Sequence, residues 1–421
     1  MKFFFTVAWR NIWRNARRSL ITASAMALSV GLCMAMVAIT DGFYDVFYEV
    51  MVTRKIGHIQ IRHQDYPKTK SLYDTVKGAE HIMADISKLP ETVGLTGRLY
   101  SSALVEFNKN GAGAQISGIQ PETEKSISTI FRQIEQGRYL SAEPKKEAIV
   151  GISLWEDLEY EWDDQEKKML LLTQAADGST AYDEFEIVGV YKSGSVLFDR
   201  GVQVHLQDLQ KLLIMEKQVH EILVLSKKED GIQAHSDAIE EMDSVKNAKN
   251  KEKGVVVTTW WEASPQTFEM MAFRDFGAFL FLGIIFFIAG FGILNTMLMS
   301  VFERTTELGV LKALGLRPSK MVLLIVVESV LLSGIAAILG LMLGGLLDYY
   351  LVTQGLDMSG GTGKPLEMMG TNLDPIMRGA VKLNLLFFVP VVSLFFISVL
   401  ASLWPAIRAA RLNPVEAIRS E

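Results

Sequence analysis

Between positions 276 and 302 the chain runs for 27 residues without a single charge. Few features constrain a fold more. A helix needs about 20 apolar residues to cross a bilayer, and in hydrocarbon every backbone polar group must be paired within the protein. Residues 20–40, 321–347 and 383–407 meet the same condition, and 321–347 carries one charge, Glu328. Four such runs predict a membrane α-helical protein with four transmembrane helices. The first follows several arginines, but its uncharged run exceeds a signal-peptide core, so it reads as an uncleaved anchor.

Short loops set the expected orientation. Lys2, Arg10, Arg14, Arg17 and Arg18 precede the first run; Arg304, Lys312, Arg317 and Lys320 lie between the second and third; Arg408, Arg411 and Arg419 follow the fourth. Both termini are then cytoplasmic, in a multi-pass membrane protein. The loop 353–382 faces outward with Lys364, Arg378 and Lys382, so the bias is not absolute.

This topology leaves one large segment, about 41–272, on the outer side. It holds 38 Asp/Glu against 26 Lys/Arg, while the whole chain is −6. An acidic surface of that kind argues against nucleic acid as a partner. The only cysteine, Cys33, lies in the first run, so no disulfide staples the outer part and it must hold itself by an ordinary core.

The boundaries that follow are a cytoplasmic interfacial helix at 1–18, a first span and stalk at 19–55, and an extracytoplasmic α+β domain at 56–263. A second stalk and span take 264–302, a cytoplasmic segment 303–320, the third span 321–352, an outer loop 353–382, the fourth span 383–407, and a cytoplasmic tail 408–421. In the interfacial helix Phe5, Trp9, Trp13, Ala16 and Leu20 fall at helical spacing with Arg10, Arg14 and Arg17 beside them, which suits a headgroup region as well as a topology anchor. Phe43, Val46, Phe47 and Val50 continue a helical stripe beyond the first run toward Arg54. Ser264-Pro265 reads as an N-cap followed by proline at the first helical position. A helix over 265–302 would measure roughly 57 Å against about 30 Å of hydrocarbon.

In the outer segment, "GHIQIRH", "SALVEF", "EFEIVGVY" and "VQVHL" read as strands. Helices are expected at 78–89, 123–136, 205–215 and 231–243, and "DSVKNAKNKEKG" reads as a polar loop or domain edge. Gly340 and Gly344 form a small-xxx-small step in the third span, fit for a helix contact within the chain or a seam between copies.

Signs of catalysis are absent from the sequence. "SGGTGKP" at 359–365 departs from a phosphate-binding loop at Met358 and Pro365. His58 and His63 point to opposite faces of a strand, which disfavours a metal pair, and the acidic run 156–166 reads as a solvated face. No catalytic residue, metal ligand or cofactor site is expected. Glu328 reads as a snorkelling or locally paired carboxylate. In "ERTTELGVLKALG", 303–315, Leu308, Leu311 and Leu314 form an apolar edge while Glu303, Arg304, Glu307 and Lys312 face elsewhere. Gly315 and Arg317-Pro318 stop the helix. Such a segment is either a docking helix for a partner's groove or a charged connecting turn.

The stretch "NTMLMSVFERTTELGVLKALGLRPSKMVLLIVVESVLLSGIAAILGLMLG", 295–344, resembles the FtsX-like permease domain of MacB-type ABC transporters. "WPAIRAARLNPVEAIR", 404–419, is similar to that family's carboxyl-terminal signature, and "WRNIWRNARRSLIT" to its amino-terminal helix. "GHIQI", "GIQPETE", "GRYLSAEPKKEAIVG" and "FEIVGVYKSGSVLFDRGVQVHLQDLQKLL" resemble the outer domain of lipoprotein-releasing permeases of the LolC and LolE type. After Gly151 the chain departs from them, with "LEYEWDDQEKKMLLL" where a Leu-Gly…Gly-Asp segment is usual.

The resemblance implies a non-catalytic permease subunit that transmits motion from an ATPase subunit, the ATP and Mg being bound there. Glu303, Arg304, Glu307, Leu308, Leu311 and Lys312 would meet that ATPase. A second permease subunit, alike or homologous, membrane lipid, lipoprotein cargo and a periplasmic carrier complete the expected partners. Phe43, Phe47 and Met51 are candidates for cargo contact on their apolar stripe. Efflux of an amphipathic drug or peptide, and regulation of cell-wall enzymes, are the alternatives.

Overall fold

A computed structural model describes residues 2–107, 110–159, 167–193, 199–251, 254–362, 366–368, 371–373, 376–381 and 383–419. The chain forms two compact units. One comprises 1–45, 271–361 and 376–421, the other 46–270 with 362–375.

The first unit is helical. Lys2–Arg14 (α1) ends at a turn on Asn15, and Ala16–Phe47 (α2) follows. Pro265–Glu303 (α7), Pro318–Thr353 (α9) and Leu383–Ala410 (α10) are the other long helices. All four long helices are apolar enough over their length to cross a membrane. Their shared core holds Met26, Val30 and Met34 of α2, Ile293 and Met297 of α7, Leu332 and Ala336 of α9, and Leu394 of α10. Gly340 and Gly344 sit against Val30 and Met34, and a Cβ at Gly340 would come within 2.6 Å of the Val30 Cβ. The small-residue step therefore serves a contact within the chain, α9 on α2. Hydroxyl pairs add interhelical hydrogen bonds, Thr22 with Thr296 at 2.8 Å and Ser329 with Ser398 at 2.5 Å.

Between α7 and α9 a short helix, Thr305–Ala313 (α8), is set off by a break at Arg304. Gly315 takes φ +91°, a left-handed conformation that glycine adopts at no cost, and the Leu316 N–H reaches back to the Leu311 carbonyl. Arg317 is extended and Pro318 opens α9. The tail carries a last short helix, Pro414–Arg419 (α11), packed on α8.

The second unit is α+β. The strands of its large sheet are Ile59–His63 (β1), Thr92–Phe107 (β2), Asn110–Ile119 (β3), Ile134–Gly137 (β4), Glu147–Gly151 (β5), Lys168–Gln174 (β6), Thr180–Tyr191 (β7), Gly201–His205 (β8), Glu221–Ser226 (β9) and Val255–Thr259 (β10). The helices are Ala79–Ile86 (α3), Leu206–Leu212 (α4), Ile232–Glu240 (α5) and Asp243–Lys251 (α6). The order is β10-β1-β9-β2-β3-β8-β5-β7-β4, with β6 pairing both β2 and β7. Pairing thus closes on itself through β2, β3, β8, β5, β7 and β6, which leaves no free edge in that ring. The 16 residues of β2 serve both halves: its first part pairs β9 at Arg98–Glu221, its second pairs β3 from Leu99–Gly118 onward. Alternation explains the placing, since Ala103, Val105 and Phe107 are buried while Ser102, Leu104 and Glu106 are exposed.

Three expectations are corrected. No long helix forms over 123–136; after the turn Pro121–Glu124 come a single 3₁₀ turn, Ile130–Arg132, and then β4. The polar stretch expected as a loop is α6, tied down by Val245, which is fully buried. Finally, the stripe beyond the first span is not α-helical throughout. Tyr48–Ile56 is π-helical and ends at Gly57 with φ +75°. Tyr48 there packs on Trp260 and His58, ring centroids 5.7 and 5.9 Å away.

Candidate functional site: the polar junction around the short helix

Glu328, the one charge in the third apolar run, is 6% exposed. Its carboxylate accepts from the Arg304 guanidinium at 3.0 Å and from the Asn11 amide at 3.4 Å. The local-pairing expectation for Glu328 thus has a named partner. Arg304 is itself 8% exposed and also donates to Glu307 at 3.3 Å. A buried charge left unpaired would be costly, so each member of this pair requires the other.

Around it, α1 and the start of α2 reach the short helix from the other side. Arg14 bonds Glu307 at 2.8 Å, Arg18 bonds Glu303 at 2.7 Å, and Asn15 donates to Glu303 at 3.2 Å. Burial alone would raise the Glu307 pKa, but hydrogen bonds from Arg14 and Arg304 outweigh it and hold the carboxyl below its ordinary range. Asn11, Asn15 and Arg18 were not expected in this site. Their signal is the 3–4 spacing of Asn11, Arg14, Asn15 and Arg18, one polar face on a helix that otherwise shows tryptophans.

The expected partner contacts therefore divide. Glu303 and Glu307 are exposed, and Leu311 is half-buried. Arg304 and Leu308 point inward, Leu308 being 2% exposed in a small core with Val301, Met321, Ile325, Ala406 and Ala409. Neither is placed to touch a partner. Lys312 is occupied, its ammonium donating to the carbonyls of Ala410 and Leu412 at 2.9 and 2.6 Å. The apolar edge read as Leu308, Leu311 and Leu314 also breaks: Leu314 is 80% exposed, and with Val310 it forms the outward apolar side of α8. Spacing explains this: at about 3.6 residues per turn, two steps of three carry Leu314 about 120° round from Leu308, and Leu314 caps the end of α8.

Of the residues offered for cargo contact, Phe47 is 2% exposed and Phe43 half-buried, so Phe47 is packing rather than presented surface. The side chain of Met51 lies outside the described residues, as do 160–166 of the acidic run and 363–365 of the glycine-rich loop. Among the described residues no cluster of three metal-ligating side chains occurs.

Residues 19–242 match the family described as MacB-like periplasmic core domain, and 279–414 match the FtsX-like permease C-terminal family. The chain is 24% identical to the uncharacterized ABC transporter permease MJ1507 of Methanocaldococcus jannaschii, over 99% of this chain and 97% of that one. It is 22% identical to the lipoprotein-releasing system transmembrane protein LolC of Neisseria meningitidis serogroup B, over 97% and 96%. The macrolide export ATP-binding/permease protein MacB of Chlorobium luteolum is 36% identical, but over only 31% of this chain and 16% of its own length. A chain with a MacB-like core domain over more than half its length, an FtsX-like permease part and four membrane-grade helices is a MacB/FtsX-like ABC transporter permease, and to that family this chain belongs.

Proposed function

We propose that the chain is the non-catalytic permease subunit of an ATP-driven complex that releases lipoproteins from the membrane in which it sits. One observation supports cargo of this kind above the rest. Similarity to LolC spans nearly the full length of both chains, outer domain included, whereas the match to the MacB of Chlorobium luteolum covers 31% of this one. A separate ATPase subunit holds ATP and Mg and seats on α8 and its flanks, at Glu303, Glu307, Val310 and Leu314. A second permease subunit, identical or homologous, completes the complex. Both termini lie in the cytoplasm of a bacterial cell, with the outer unit in the periplasm, where a soluble carrier would accept the released cargo.

Efflux of an amphipathic drug or peptide is the second reading, and the MacB likeness at 30–36% identity favours it. Depletion of the protein separates the two. Acylated proteins should accumulate in the inner membrane when it is depleted. An unchanged lipoprotein distribution together with raised sensitivity to amphipathic compounds would overturn release in favour of efflux, and a cell-wall defect alone would point to regulation of cell-wall enzymes.

A further inference from the structure

Where α2 begins and α7 ends, the helical unit leaves an open groove of about 770 Å³. Its polar end is lined by Arg14, Arg17, Arg18 and Glu303, its apolar end by Ile21 and Met299, with Asn295 a turn deeper than Met299. Two of these arginines are matched, Arg14 by Glu307 and Arg18 by Glu303. Arg17 is exposed and has no carboxylate partner among the described residues, so the groove carries one guanidinium in excess. The amino-terminal end of a 32-residue helix forms one wall, and its dipole adds to that positive field.

The apolar end tells which anion fits. Ile21 is 64% exposed and Met299 50%, and neighbouring Leu20 is 49% exposed. On α1, Trp9 and Trp13 are also turned outward, at 42% and 50%. Tryptophan beside arginine is the composition of a headgroup layer, and the exposed aliphatic side chains below it belong in acyl chains rather than water. A soluble anion would satisfy only half of this lining. Guanidinium groups bind phosphate through paired N–H donors, so the polar end suits a phosphodiester.

We propose that this groove binds the headgroup of an anionic phospholipid from the leaflet in which α1 lies. Its phosphate sits on Arg17, and its first acyl segment on Ile21 and Met299. A lipid held there bridges the first turn of α2 and the last turns of α7, next to the ion pairs that hold α8.

The test uses the full chain in non-ionic detergent, followed by native mass spectrometry with phosphatidylglycerol, phosphatidylcholine or inorganic phosphate added separately. One phosphatidylglycerol per chain should survive activation that strips phosphatidylcholine, with no phosphate adduct. Arg17→Gln should lower that occupancy about fivefold, the effect of removing one cation near an anionic headgroup. Its helical content and melting temperature should not change, because Arg17 is exposed and unpaired. Equal retention of the two lipids, or wild-type occupancy in Arg17→Gln, overturns the site. A phosphate adduct as persistent as the lipid means that a soluble anion is the ligand. Cys33 is the only native cysteine and is fully buried, so Met299→Cys gives a single reactive thiol. Disulfide-linked dimers of that variant in native membranes would make the groove a seam between copies and overturn the lipid proposal.

Discussion

His220 shows how one side chain can couple the outer unit to pH. It is 1% exposed and stacks on Tyr66 with ring centroids 4.5 Å apart. Its Nδ1 accepts from the Tyr100 N–H at 2.9 Å and its Nε2 donates to the Leu72 carbonyl at 3.2 Å, so the imidazole is held neutral. Burial pushes its pKa down from 6.5 to about 4, against a smaller opposing effect of the Leu72 carbonyl. The unfolded chain then binds a proton between pH 6.5 and 4 that the folded chain refuses. Stability is present above 6.5 and falls as pH drops through that window, by up to about 3 kcal/mol from this residue. His58 and His235 are lowered by burial in the same direction. Equilibrium unfolding of the full chain at pH 7 and pH 4.5 should show the loss, and His220→Gln should remove most of this residue's share of the slope. A slope identical in variant and wild type would contradict the assignment.

Residue-scale pairing is also where the sequence was least readable. Glu328 stood out as the only charge in its run, but its partner is 24 positions away, across a helix break. No local pattern encodes that distance. Glu124, within the "GIQPETE" stretch, is similar: 1% exposed, it takes the Arg98 guanidinium at 2.7 Å, a contact made by the path of β2 and not by spacing.

At the scale of elements, the short helix is held from three directions. Glu328 on α9 holds Arg304, α1 and α2 hold its glutamates, and Lys312 clasps the carbonyls at the end of α10. A rigid α8 presents Val310 and Leu314 outward. Leu314→Asp should leave the fold intact, within about 0.5 kcal/mol for a surface change, while weakening ATPase association by roughly thirtyfold, the scale of an apolar anchor at an interface centre. Co-purification and melting temperature of the variant decide it, and full ATPase retention would move the docking surface elsewhere. Long elements were legible because apolar length alone defines a span, and Pro318 and Gly315 mark their stops. The helix Asp243–Lys251 was not, because lysine and asparagine fill it and, among its described side chains, Val245 alone is fully buried. The π-helical turn at Tyr48–Ile56 escaped for another reason: an apolar stripe keeps nearly the same face whether the ladder steps by four residues or five.

For the molecule as a whole, composition and hydropathy were enough to separate a membrane part from an α+β part, since the two demand different side chains. The closure of the outer strands into a ring was hidden, because its pairings join residues far apart in sequence. Gln115–Gly201 and Glu147–Glu186 are parallel pairs that no turn signal announces. The π-helical segment, the capping box of Thr259 and Glu262, and the proline at 265 lie toward the two ends of the segment 46–270 of the outer unit. Function was legible only through resemblance.

The pairing of β1 also dictates a birth order. Ile59–His63 lies between Glu221–Ser226 and Val255–Thr259, so the first strand made waits for the last. Roughly 160 to 200 residues must be synthesised before it finds either neighbour, and contacts of such separation close slowly. Until then the nascent outer unit exposes unpaired strand, a substrate for proteases and holding chaperones. Chains truncated at residue 250 should therefore be digested rapidly in membranes, while chains ending at 275 leave a protease-resistant outer unit. Equal resistance of both would mean that the outer unit folds without β10. If the difference holds, the biogenesis machinery of the host must shelter this chain for nearly half of its translation.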